Sequence, residues 1–127
     1  MTQRFDPRTL DDGIRDSVQM LRKAGYKTFS SCEGGRGHAF RYPTIGVKLV
    51  GDYFKFRDRL ARFLRSQGRH SFEISLITCY HPSYRKPKEW VYVEGFDLLS
   101  PEKRKRALAA LRRRDQRLLR ELEKLTG

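Results

Sequence analysis

Apolar positions recur along this chain with two alternating periods. Leu10, Ile14, Val18 and Leu21 fall at helical spacing. Asp6 and Pro7 stand ahead of them as N-cap and first helical residue, and Gly25 sits where a helix-ending glycine belongs. Tyr26 to Ser31 reads as a strand. After Pro43 the run Thr44–Leu49 alternates, placing Ile45, Val47 and Leu49 on one face. Asp52 is positioned to cap a second helix with the stripe Tyr53, Phe56, Leu60, Phe63 and Leu64, which stops at Gly68. Phe72, Ile74 and Leu76 alternate in a third strand, and in a fourth Val91 and Val93 oppose Trp90 and Tyr92. Ser100-Pro101 opens a last helix in which Leu108, Leu111, Leu118, Leu122 and Leu125 follow at three- and four-residue steps, with Asp115 in the vacant position.

The predicted order is αββ-αββ-α, an α+β fold. It implies one four-stranded sheet, antiparallel or mixed, with helices on one face and a protruding basic C-terminal helix. Residues 1–99 form the α+β domain and residues 100–127 the helix. A degenerate duplication links 6–50 with 51–96, because each unit runs helix, Gly (25, 68), strand, Cys (32, 79), His (38, 81), Arg (41, 85), Pro (43, 87), strand. If both long loops leave the same end of the sheet, Cys32 and His38 meet Cys79 and His81. Trp90 and Tyr92 either extend a binding surface or, the plainer expectation for Trp90, pack against a helix.

Ser30-Ser31-Cys32-Glu33-Gly34-Gly35-Arg36-Gly37-His38 is the most informative stretch. Glycines permit positive φ and close approach of a ligand to the backbone, so their N–H groups can form a concave anion site. Arg36, His38 and Arg41 stand beside that site. The plainer reading is a glycine-rich hairpin with polar filling. Cys32 is the candidate nucleophile, with His38 or His81 as base and Glu33 as acid, base or partner of Arg36. The Cys and His spacing is not that of a structural zinc site, whose ligands come in close pairs, so no metal is expected. The residues name no cofactor.

Composition sharpens the choice of partner. Of 127 residues, 28 are Lys or Arg and 15 Asp or Glu, a net charge of +13. Nearly half of that excess lies in residues 100–127, where Arg112, Arg113 and Arg114 are consecutive. Such an excess repels itself and is relieved by a polyanion; a merely solvated charged face is the bland alternative. The second loop adds His81, Tyr84, Arg85, Lys86 and Lys88, cations interleaved with an aromatic. No run is apolar enough for a membrane span, the N-terminus lacks the apolar stretch of a signal peptide, and two cysteines make no disulfide framework. These features predict a cytoplasmic protein.

Residues 25–38, with Pro43 and the alternating strand after it, resemble a group of small bacterial and phage proteins sharing a Ser-Cys-Glu/Gln-Gly-Gly-x-Gly-His loop. The likeness spans residues 20–50 and implies a shared site without naming its ligand. Thr28, Ser30, Ser31, Cys32 and Gly34 are also similar to the Thr-x-Ser-Ser-Cys-x-Gly-Arg motif of wybutosine-synthesising tRNA methyltransferases. Here Gly35 takes the place of that motif's arginine and Arg36 follows one place later. That likeness implies S-adenosylmethionine and an RNA substrate.

The favoured function is binding of nucleic acid, RNA above DNA, or another nucleotide-like polyanion. The expected site is Ser31, Cys32, Glu33, Gly34, Gly35, Arg36, Gly37, His38 and Arg41 in the first loop, His81, Arg85 and Lys86 in the second, and Arg112–Arg114 in the helix. An S-adenosylmethionine-dependent tRNA-modifying enzyme, or a cysteine-dependent enzyme, is the alternative. The leucine seam of the last helix also suits a homodimer.

Overall fold

A computed structural model describes residues 13–35 and 40–126. Its elements run α1 (Arg15–Lys23), β1 (Thr28–Cys32), β2 (Thr44–Lys48), α2 (Tyr53–Ser66), β3 (Glu73–Cys79), β4 (Lys88–Glu94), a short 3-10 turn (Phe96–Leu98) and α3 (Pro101–Thr126). The αββ-αββ-α order is therefore as expected. The Asp6-Pro7 helix start and Leu10 lie outside the described residues. Within them Gly13 and Ile14 form a turn and α1 begins only at Arg15, with Ile14 as its N-cap, so Ile14 precedes the helix in which the apolar spacing places it.

Local chemistry sets the helix ends. Both α1 and α2 finish the same way, with glycine at positive φ (Gly25 at +97°, Gly68 at +79°). The next residue's N–H reaches back to a carbonyl five positions earlier, Tyr26 to Leu21 at 3.0 Å and Arg69 to Leu64 at 2.9 Å. This satisfies carbonyls the helix leaves open, and only glycine takes that backbone turn without strain. The Asp52 carboxylate accepts the Lys55 N–H at 3.0 Å, capping α2 as its sequence position predicts.

The four strands make one antiparallel sheet in the order β1-β2-β4-β3. Each αββ unit contributes a hairpin whose second strand is inner, and the inner strands pair across the middle with Ile45 opposite Val93 and Val47 opposite Val91. These four side chains are fully buried and meet Ile14, Val18 and Leu21 from α1 and Phe56, Leu60 and Leu64 from α2. Both helices thus cover one face, as alternation requires when residues of one parity are apolar.

That antiparallel seam overturns the expected meeting of the two loops. The first loop enters β2 at Thr44, which lies opposite Glu94 at the end of β4. The second loop enters β4 at Lys88, opposite Cys79. The loops therefore leave opposite ends of the sheet, about 20 Å apart at roughly 3.3 Å per residue. Cys32, in register with Thr44, does not approach Cys79 or His81. Loops at one end would need a parallel inner pair.

Among the described residues, α3 is fastened at its base. Ser100 N–H donates to the Gly13 carbonyl at 2.6 Å, and Lys103 and Arg104 form ion pairs with Glu33 (2.9 Å) and Asp97 (3.1 Å). From Arg112 to Thr126 every residue is exposed, so the basic helix does protrude. Asp97 is a hub: its carboxylate also accepts the backbone N–H groups of His70 and Ser71 at 3.0 and 2.8 Å, at the approach to β3. Burial alone raises the pKa of Asp97, but these N–H groups and Arg104 outweigh it, and the net shift is downward.

Leu60→Ala should cost about 2–5 kcal/mol in urea unfolding, the scale of a core cavity, and Asp52→Ala about 1 kcal/mol. Because the folded pKa of Asp97 is depressed, its contribution is present above the unfolded-state value near 4 and is lost as pH falls through the folded value. Asp97→Asn should therefore lower the melting temperature at neutral pH and flatten its decline below about pH 4. An unchanged acid limb in thermal melts would show that another carboxylate governs it.

Candidate functional site

The glycine loop is built to close on itself. Gly34 takes φ +81°, and a Cβ there would sit 2.3 Å from the Tyr42 carbonyl carbon and 2.5 Å from Pro43 N. Its N–H points to Cys32 Sγ at 3.4 Å. Gly35, at φ +106°, donates its N–H to the Arg41 carbonyl at 2.8 Å. Both amides proposed as anion donors are thus spent inside the loop, and the glycines serve the returning backbone. Arg36, Gly37 and His38 lie outside the described residues.

The other first-loop residues divide by role. Cys32 is buried at 5% exposure and ends β1. Ser31 pairs with Ile45 and so belongs to the helix-covered face. Glu33 accepts the Gly13 N–H at 2.8 Å and the Lys103 ammonium at 2.9 Å, tying the loop to α3 and to the approach to α1. Arg41 is exposed at the loop's return and lines a cleft against α3. Pairing with Arg36, one of the roles the sequence allows Glu33, falls on a residue outside the described ones; among the described residues Lys103 of α3 is an ion-pair partner of Glu33 through space.

In the second loop the His81 ring lies 2.7 Å from Ser83 Oγ, accepts the Ser83 N–H at Nδ1, and packs on Tyr84. The Lys88 ammonium sits 4.3 Å from the Tyr84 ring centroid, a cation–π contact. Arg85 and Lys86 are exposed beside it. In α3, Arg113 and Arg114 share a helix face with Arg117, Arg120 and Lys124, whereas Arg112 lies off it. Leu118, Leu122 and Leu125 of the leucine seam are exposed, while Leu108 and Leu111 at its base are half-buried. Among the described residues no three His, Cys, Asp or Glu side chains gather as a metal site would need.

The largest surprise is the sheet face away from α1 and α2. Trp90 and Tyr92 alternate with buried Val91 and Val93, so they point to that opposite face. The expected packing of Trp90 on a helix is overturned by this parity. Phe29 joins them through a bulge in β1, where the register shifts between Thr28 and Ser30. The Phe29 ring lies 5.7 Å from Tyr92 and 6.4 Å from Trp90, and Phe40 stands 5.7 Å from Tyr92. Gly46 makes room, since a Cβ there would meet the Phe29 ring at 2.6 Å. Phe29 and Ile77 are each 46% exposed, so the surface is open to solvent.

Charge divides this face. Lys48 pairs with Trp90, and Lys88 lies two residues before it, on the same side. Glu73 and Glu94 face each other at the far end. Aromatic rings with cations at one end can stack unpaired bases and hold their phosphates. Phe29, Phe40 and Lys48 escaped the sequence reading; the isolated Gly46 within an alternating strand was the signal of a close approach there. No family model, curated protein or solved structure matches the chain. Among the described residues no helix is long and apolar enough to cross a membrane.

Gly34→Ala should destabilise the loop, because both φ and the Tyr42 backbone oppose a side chain. A melting temperature several degrees lower is expected, with Cys32→Ser milder. Equal stability of Gly34→Ala and wild type by calorimetry would contradict this packing.

Proposed function

We propose that the protein binds single-stranded nucleic acid, RNA above DNA, through the helix-free face of its sheet. One observation carries this reading: Phe29, Trp90, Tyr92 and Phe40 form a connected, partly exposed aromatic cluster with Lys48 and Lys88 at its edge. Buried aromatics serve the core, and here the core is on the other side. Rings left in water are costly unless something stacks on them.

Two further features support a nucleic acid over another occupant. The overall charge of +13 favours a polyanion, and the arginine face of α3 offers Arg113, Arg117 and Arg120 in a row with few acids. Duplex nucleic acid hides its base faces, whereas an unpaired strand presents them for stacking. In this reading the glycine loop is a structural closure, and the sheet and α3 share the binding.

Fluorescence anisotropy with a short unstructured RNA tests it. With about five phosphates neutralised on a single strand, the slope of log affinity against log salt should be near −3.5. Replacing Arg113, Arg117 and Arg120 together with Ala should flatten that slope by about two. Trp90→Ala should weaken binding by about 1–3 kcal/mol while leaving the slope unchanged, because stacking releases no counterions. Wild-type affinity in Trp90→Ala would remove the sheet face from the site.

A further inference from the structure

A second concavity lies between the glycine loop and the base of α3, with a volume of about 700 Å³. It falls in the range of roughly 300–1,000 Å³ that small-molecule sites occupy. One wall is aromatic: Tyr42 and Phe96 meet edge to face at 5.9 Å. α3 supplies Ala107 and Ala110, which are short, with Leu111 and Arg114 beside them. Ala107 and Ala110 are one helical turn apart, so at these two positions the helix leaves room that a larger side chain would take.

Charge in this cleft is lopsided. Arg41 and Arg114 line it, while the carboxylate of Glu33 is already neutralised by Lys103 at 2.9 Å. Arg41 is exposed, and the only ion pair Arg114 makes among the described residues is a long one, 3.9 Å to Asp115. The lining therefore offers an apolar slot with two guanidinium groups. That pattern fits a flat ring joined to an anion of one or two charges.

We propose that this cleft binds a single nucleoside monophosphate unit, its base between the Tyr42–Phe96 wall and Ala107–Ala110 and its phosphate on Arg41 and Arg114. The assignment rests on the nucleic-acid reading for the choice of base and phosphate over other ring-bearing anions. It goes further by giving the chain a site for one terminal or free nucleotide, separate from the stacking face. A strand end carrying a phosphate and a free mononucleotide present the same chemistry, and they are distinguished below.

Titration calorimetry of the full chain with AMP tests it, with adenosine and inorganic phosphate as parallel probes. AMP is expected to bind at one site and to outcompete either fragment by tenfold or more. Arg114→Gln should weaken AMP by about tenfold, the scale of a charge-assisted hydrogen bond. Ala110→Leu should abolish saturation by occupying the cleft, with a thermal melt verifying that the variant is folded. Trp90→Ala should leave AMP binding unchanged. A 5′-phosphorylated RNA should bind more tightly than its hydroxyl-ended twin, and lose that advantage in Ala110→Leu, if strand ends are the occupant. Equal affinity of the twins alongside tight AMP binding would assign the cleft to free nucleotide. No AMP binding up to about 10 mM, or AMP binding that survives both Arg114→Gln and a folded Ala110→Leu, overturns the proposal. RNA binding that persists in that case would leave the sheet-face reading standing. AMP binding without any RNA binding would do the reverse.

Discussion

Everything in this molecule hangs on the antiparallel pairing of β2 with β4. Ile45 against Val93 and Val47 against Val91 join two αββ units into one sheet and present the apolar row that both helices cover. With about 0.8 kcal/mol per buried methylene, that row and the helix stripes above it are the main source of cohesion. The same pairing fixes the parity of every other strand position. Trp90, Tyr92 and Gly46 are thrown to the opposite face because their neighbours are buried. It also sends the two loops to opposite ends of the sheet, which separates chemistry that the repeat in the sequence seemed to unite.

Two carboxylates then attach the parts that the core does not hold. Glu33 links the glycine loop to α3 and to the approach to α1, and Asp97 links α3 to the entry of β3. Neither acts through a single partner. Glu33 satisfies one backbone N–H and Asp97 two, each with a cation as well, which makes them harder to replace than an exposed ion pair of small net worth. Beyond these anchors α3 buries no side chain fully among the described residues: Leu108 and Leu111 are half-buried, and from Arg112 onward its arginines and leucines both stand in water. The helix base therefore shapes a cleft, while the outer half is free to meet a partner.

Glycine illustrates how the neighbours of a motif set its local role. Gly34 and Gly35 looked like an anion cradle because their amides are unencumbered by side chains. In the fold those amides are used by Cys32 Sγ and the Arg41 carbonyl, and the missing Cβ of Gly34 admits the Tyr42–Pro43 backbone. The inconspicuous Gly46, alone in a strand, is the one that opens a surface, since the Phe29 ring lies over it. A glycine's purpose is set by what comes close to it, and that neighbour is usually remote in sequence.

The sequence by itself determined the elements, their order, both helix-ending glycines, the Asp52 cap and the α+β class, because these depend on periodicity and on contacts within a few residues. It also marked the charge and the protruding helix. Strand order, the distance between the loops, the partner of Glu33, the aromatic face and the cleft beside α3 belong to the tertiary structure alone. Each depends on which strand pairs with which, and in what direction. Alternating patterns say that Val91 and Trp90 face opposite ways, but only the placement of two helices on the valine side leaves the tryptophan side open.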